Sequence, residues 1–230
     1  MSYYLNLSEI RVTDFSEENI NKLYNSGYVF TRIDKGIMQQ TRSIRVDLEK
    51  FSPKSKNKRV LRQTNDLKIE IKKLPLPKYS WKIHKMAKEF YNFQGGEGTF
   101  SASKIRTIFC NPEKNNFDHV VIAQVNDVIE PVGYCICYIN SQIVHYSYPF
   151  YDLNYAHQKM KSLGFGMKLK SILWAQSAGL KYFYMGSIVS EQSKYKLQIP
   201  GVEWWDEQTH QWSSDIEEVK KRLKKTLQKN

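Results

Sequence analysis

The chain has 230 residues, enough for one large domain or a catalytic domain with a small subdomain, and too few for two independent enzymes. Hydrophobic residues make up 41% and aromatic residues 13%, which excludes a wholly disordered chain. The formal charge of +12 points to a polyanionic partner, and no apolar run approaches the roughly 20 residues of a membrane span, so a cytoplasmic, non-membrane protein is expected.

In chain order, Asp14 or Ser16 caps a short helix that runs to Tyr24, with acidic residues in its first turn and Gly27 past its end. Ile44, Val46 and Leu48 alternate with Arg45 and Asp47, the pattern of a half-buried strand that turns Arg45 away from the core. Ser52 and Pro53 then start a basic helix carrying Lys54, Lys56, Lys58, Arg59 and Arg62, either a phosphate-binding face or a merely solvated one. Beyond the Leu74–Pro77 connector, Ile83, Met86, Ala87 and Phe90 recur at helical spacing between Ser80 and Phe93.

The period then changes to two. His119–Val125, Val132–Ile139 and Ile143–Tyr148 read as an antiparallel meander separated by Asn126-Asp127 and Asn140-Ser141 turns. Cys135 and Cys137 share one strand face and are expected to fill core space; with Cys110 they form neither a disulfide framework nor a zinc pattern, so no metal is expected. A loop from Lys161 opens a helix with Phe165, Leu169, Ile172 and Leu173 on one stripe, followed by a strand from Lys181 to Met185. After an aromatic-rich stretch from Val202 to Trp212, Ser214 and Glu217 read as a capping box for a last amphipathic helix.

Three antiparallel strands, a glycine-containing loop opening a helix, and a further strand resemble the GNAT acyltransferase order, in which that loop receives a phosphate-bearing acyl donor. Free N–H groups and the helix dipole favour anions at such a helix start. A second resemblance is wider. Ser26–Phe30, the strand from Arg42 to Val46 and Phe51–Arg62 are similar to the N-terminal part of the arginyl- and leucyl-tRNA-protein transferases. Phe150-Tyr151-Asp152, Ser162-Leu163-Gly164, Gly179–Gly186 and Lys194-Tyr195-Lys196 resemble that family's F-Y-D-P, S-L-G, G-L-x-Y-x-Y-L-G and Y-K elements. Two features depart from the pattern: Gly36–Gln40 stands where some members carry a cysteine cluster, and Leu153 replaces the proline after Asp152.

The resemblance implies an α+β, GNAT-like fold with a mixed, mainly antiparallel sheet, a small N-terminal α/β subdomain over residues 1–75 and a catalytic domain over residues 76–230. It implies transfer of Arg or Leu from charged tRNA, a co-substrate with no other cofactor, to the N-terminal α-amine of proteins starting with Asp or Glu. The chain is expected to be a monomer. Site expectations follow: Asp152 as base or amine-orienting carboxylate, with a turn or helix cap as its alternative role, and Tyr148 or Tyr151 as proton donor. Ser162, Leu163, Gly164, Phe165 and Gly166 are expected at the donor, and Arg42 and Arg45 at the acidic acceptor. Lys54, Lys56, Lys58, Arg59 and Arg62, with Lys194 and Lys196 nearer the acceptor end, are expected on tRNA. The alternative is an acetyl-CoA-dependent N-acetyltransferase, favoured by Gly164-Phe165-Gly166.

Overall fold

The computed structural model describes residues 5–126 and 128–227, so Asp127 of the expected turn lies outside the described residues. The elements are β1 (Ser8–Arg11), α1 (Glu17–Asn25), β2 (Tyr28–Phe30), β3 (Ile37–Gln40), β4 (Ser43–Asp47), α2 (Ser55–Gln63) and β5 (Leu67–Lys73). There follow α3 (Trp81–Gly95), α4 (Ala102–Cys110), β6 (His119–Val125), β7 (Gly133–Ile139), β8 (Ile143–Tyr151), α5 (Leu153–Gln158) and α6 (Leu163–Ser177). The chain ends with β9 (Tyr182–Ser187), β10 (Val202–Asp206), β11 (Gln211–Ser213) and α7 (Ile216–Leu227).

Capping explains several boundaries. Ser16 accepts from the Asn19 N–H at the start of α1, as its spacing predicts. The basic helix starts two residues later than its Pro53 signal, with Lys54 in the cap position. At α7 the cap is Asp215, whose carboxylate accepts from the N–H groups of Glu217 and Glu218, and not the expected Ser214 box.

Eight strands form one sheet in the order β11-β10-β4-β9-β8-β7-β6-β5, and β1, β3 and β2 form a small second sheet. Alternate residues along β6 and β7 divide between two clusters, because strand side chains point to opposite faces. Val120, Ile122, Tyr134 and Ile136 pack with α1, α3 and α4, while Val121, Cys135 and Cys137 pack with α2, α6 and α7. Helices therefore cover both faces, and the architecture is an α+β arrangement with a mixed, mainly antiparallel sheet. Two strands of the first 75 residues belong to this sheet: β4 lies between β10 and β9, and β5 forms an edge against β6.

Two irregularities shape the centre of the sheet. β8 and β9 run parallel but pair at three positions, Ile143 with Tyr182, Val144 with Phe183 and His145 with Tyr184. Beyond these rungs the two strands continue without pairing to each other, so they splay. The β7–β8 register also shifts, with Tyr146 opposite Cys137 and Tyr148 opposite Ile136, leaving Ser147 as the extra residue of a bulge. Two residues on from Tyr146, Tyr148 would otherwise share its face. With the bulge, Tyr146 packs towards α6 while Tyr148 joins His145 on the α1–α3 side.

Candidate active site

The splay opens a cavity of about 600 Å³ whose walls include Arg32, Gln39, His145, Tyr148, Ser187 and Lys196. Beyond the last rung, β9 has carbonyls that β8 no longer reaches. The Lys196 ammonium donates to two of them, Met185 O at 2.8 Å and Ser187 O at 2.7 Å. Burial lowers its pKa to about 8. On α6, Lys168 donates to the Tyr195 hydroxyl at 2.7 Å, and burial lowers its pKa to about 8 as well. Neither lysine has a carboxylate within 4.0 Å among the described residues.

Tyr148 stands in the wall, and burial raises its phenol pKa, which keeps it protonated at neutral pH. The Arg32 guanidinium lies 4.4 Å from the Phe100 ring centroid and 5.9 Å from that of Tyr148. His145 is held from behind, with Nδ1 3.0 Å from the Tyr24 hydroxyl. Burial, aided by the charge of Lys196, lowers its pKa to about 3, so the ring is neutral.

The expected catalytic trio is not brought together. Asp152 caps α5, accepting from the Tyr155 N–H at 2.9 Å, the alternative role open to it in the sequence. With Tyr151 it lines a different groove of about 490 Å³ beside α3. Of the three, the main cavity contains Tyr148.

The two glycines of the expected donor loop pack against other side chains. A side chain on Gly164 would meet the Tyr151 ring at 2.5 Å, and one on Gly166 would meet the Thr64 side chain at 2.5 Å. Both glycines therefore serve close packing of the helix start. Leu163 is in the core, Ser162 donates to the Gln63 side chain at 3.1 Å, and the Phe165 ring lies 6.2 Å from that of Tyr195.

Arg42 and Arg45 differ most from expectation. Both are 6% exposed: Arg45 is on β4, inside the sheet between β10 and β9, and Arg42 immediately precedes that strand. Arg42 pairs with Glu207 through two nitrogens. Arg45 pairs with Glu203 at 2.9 Å and lies 3.7 Å and 4.0 Å from the Tyr182 and Trp212 ring centroids. Their charge is thus spent on the scaffold, and neither guanidinium is free for an acceptor. Arg32 is the arginine that reaches the cavity, a residue that no periodicity marks.

The basic helix does face water: Lys54, Lys56, Lys58, Arg59 and Arg62 are all exposed. Lys194 pairs with Glu191 at 2.5 Å, and Lys196 turns inward to β9 in the cavity wall. Among the described residues there is no cluster of three His, Cys, Asp or Glu placed to hold a metal, and no helix long and apolar enough to cross a membrane.

The family profile "Arginine-tRNA-protein transferase, C terminus" matches residues 77–206, more than half of the chain. The chain belongs to this family. No curated protein sequence matches it significantly. Among solved structures, L-PGS from Bacillus licheniformis aligns with 13% identity and a TM-score of 0.44, covering 74% of this chain and 50% of its own. A GCN5-related glucosamine N-acetyltransferase region of a fungal multi-domain β-N-acetylglucosaminidase aligns with 9% identity and a TM-score of 0.48, covering 85% and 23%. An aminoglycoside acetyltransferase from an uncultured soil metagenomic sample gives 17% identity and a TM-score of 0.38, covering 58% and 84%. The chain thus spans half the length of the L-PGS chain.

Proposed function

We propose that the protein is an aminoacyl-tRNA-protein transferase that moves Arg or Leu from charged tRNA to the N-terminal α-amine of proteins starting with Asp or Glu. The observation that carries this is the cationic cavity at the strand splay, on a chain of the arginine-tRNA-protein transferase family. Charged tRNA is the co-substrate. The α-amine has an ordinary pKa of about 7.7 to 8.0, and the positive charges of Arg32 and Lys196 favour its neutral, nucleophilic form. No carboxylate lines the cavity among the described residues, which fits an amine that needs little activation.

The amine lone pair forms a bond to the ester carbon, and the carbonyl π electrons move to oxygen. As the carbonyl re-forms, the bond to the ribose oxygen breaks. The proton that the nitrogen loses reaches the ribose oxygen through the Tyr148 phenol, which gives its own proton to that oxygen and takes the nitrogen's in its place; holding the amine and ester together is the main catalytic effect. Arg32 takes over the acceptor role first given to Arg42 and Arg45, pairing with the carboxylate of an acidic first residue. Residues 1–75 supply the tRNA-binding helix and Arg32, and residues 76–230 supply Tyr148 and Lys196. The enzyme acts in the cytoplasm as a monomer.

The alternative reading is an acetyl-CoA-dependent N-acetyltransferase. A donor assay tests the choice. Radiolabelled Arg-tRNA, Leu-tRNA and acetyl-CoA are each offered with an Asp-starting peptide; incorporation from a charged tRNA is expected, and incorporation from acetyl-CoA alone overturns the proposal.

A further inference from the structure

The His145 ring is 1% exposed, lines the cavity, and sits on the last β8–β9 rung, where the strands begin to part. Its Nε2 has no hydrogen-bond partner. A buried polar atom without a partner is uncommon in a folded protein, and this one belongs to a residue of the cavity wall.

The protonation pattern can be read from the other side of the ring. The Tyr24 hydroxyl is buried and accepts from the Phe30 N–H at 3.5 Å. Its own proton needs an acceptor, and His145 Nδ1, 3.0 Å away, is the one supplied. A neutral imidazole that accepts at Nδ1 carries its proton on Nε2, so the unpartnered group is an N–H donor without a free lone pair. Such a ring cannot act as a base there. It is held in place by Tyr24 and by ring contacts with Tyr24 and Phe117, at centroid distances of 5.6 Å and 6.1 Å.

We propose that His145 is a catalytic hydrogen-bond donor whose Nε2–H binds the carbonyl oxygen of the acyl ester and holds it as it becomes an oxyanion. This rests on the aminoacyl-transfer reading of the cavity. The donor is fixed by Tyr24 and shielded from water, the condition under which one hydrogen bond to developing negative charge has its largest effect on rate. His145 keeps its proton throughout: the electrons that reach the oxygen return to the carbonyl when the ribose leaves. The ammonium of Lys196, fixed on the β9 carbonyls, adds positive potential to the same space.

The test combines spectroscopy with kinetics. With ¹⁵N-labelled histidine in the wild-type protein, His145 is expected to show a protonated Nε2 and an unprotonated Nδ1 at neutral pH. His145→Leu is expected to lower kcat for transfer from charged tRNA by roughly 100-fold. Its KM for the tRNA stays unchanged. His145→Gln, which keeps an N–H donor at similar reach, is expected to retain kcat within about tenfold. An unprotonated Nε2, a Leu variant with wild-type kcat, or a Gln variant as slow as the Leu variant would each overturn the proposal. A wild-type protein inert towards every charged tRNA, with Nε2 still protonated, would instead overturn the aminoacyl-transfer reading beneath it.

Discussion

His145 ties stability to pH in a direction set by its burial. Its pKa falls from an ordinary 6.5 to about 3 on folding, so between these values the unfolded chain binds more protons than the folded one. Stability is therefore full above pH 6.5 and is lost as the pH falls towards 3. At pH 4.5 the loss from this group is on the order of 2 to 3 kcal/mol, and urea titrations of wild type and His145→Gln at pH 7 and 4.5 should differ by that amount. The arginines separate scaffold from site at the same scale. Arg45→Ala leaves Glu203 without its guanidinium, and a stability loss of about 3 kcal/mol is expected in denaturant melts. Arg32→Ala should melt close to wild type while raising KM for an Asp-starting peptide by roughly tenfold, the effect of removing one charge-assisted contact. An unchanged KM would remove Arg32 from the acceptor site. Nothing in the sequence separated Arg32 from Arg45: alternation on β4 assigned Arg45 to an outer face, but that face is covered by Tyr182 and Trp212, which arrive from 137 or more positions further along.

Single elements decide where the site residues point. Periodicity located the meander, α3, α6 and β9 within a few residues, because each has an apolar stripe of the right period. It did not reveal the bulge at Ser147, which depends on how β7 and β8 pair and which moves Tyr148 into the cavity. The glycine loop was visible too, but its purpose was not. Gly166 has the look of a ligand-binding residue, whereas in the fold it admits Thr64, at the end of α2, to the surface of α6. Gly166→Ala is expected to cost about 1–3 kcal/mol through overpacking, read by thermal or urea unfolding. Thr64→Ala in the same chain should recover part of that loss, and strict additivity of the two changes would argue against direct contact.

At the scale of the whole molecule, part of the charge of +12 is concentrated on the exposed face of α2. Lys58→Glu with Arg59→Glu should weaken tRNA binding and reduce the slope of log affinity against log salt by about one to two units, measured by fluorescence anisotropy across a KCl series. The kcat at saturating tRNA should stay near wild type, since these residues lie on the surface and outside the cavity walls. The amino-acid sequence by itself determined the elements that rest on local pattern, the basic helix, and, through its motifs, the family. These are properties of neighbouring residues along a chain, where period, caps and charge act within a few positions. Tertiary structure alone decided which polar groups share the cavity, because His145, Arg32 and Lys196 come from three separate segments that meet only where β8 and β9 part. It also decided that Asp152 caps a helix and that Arg42 and Arg45 are spent in ion pairs, since burial and partners are set by contacts between distant parts of the chain.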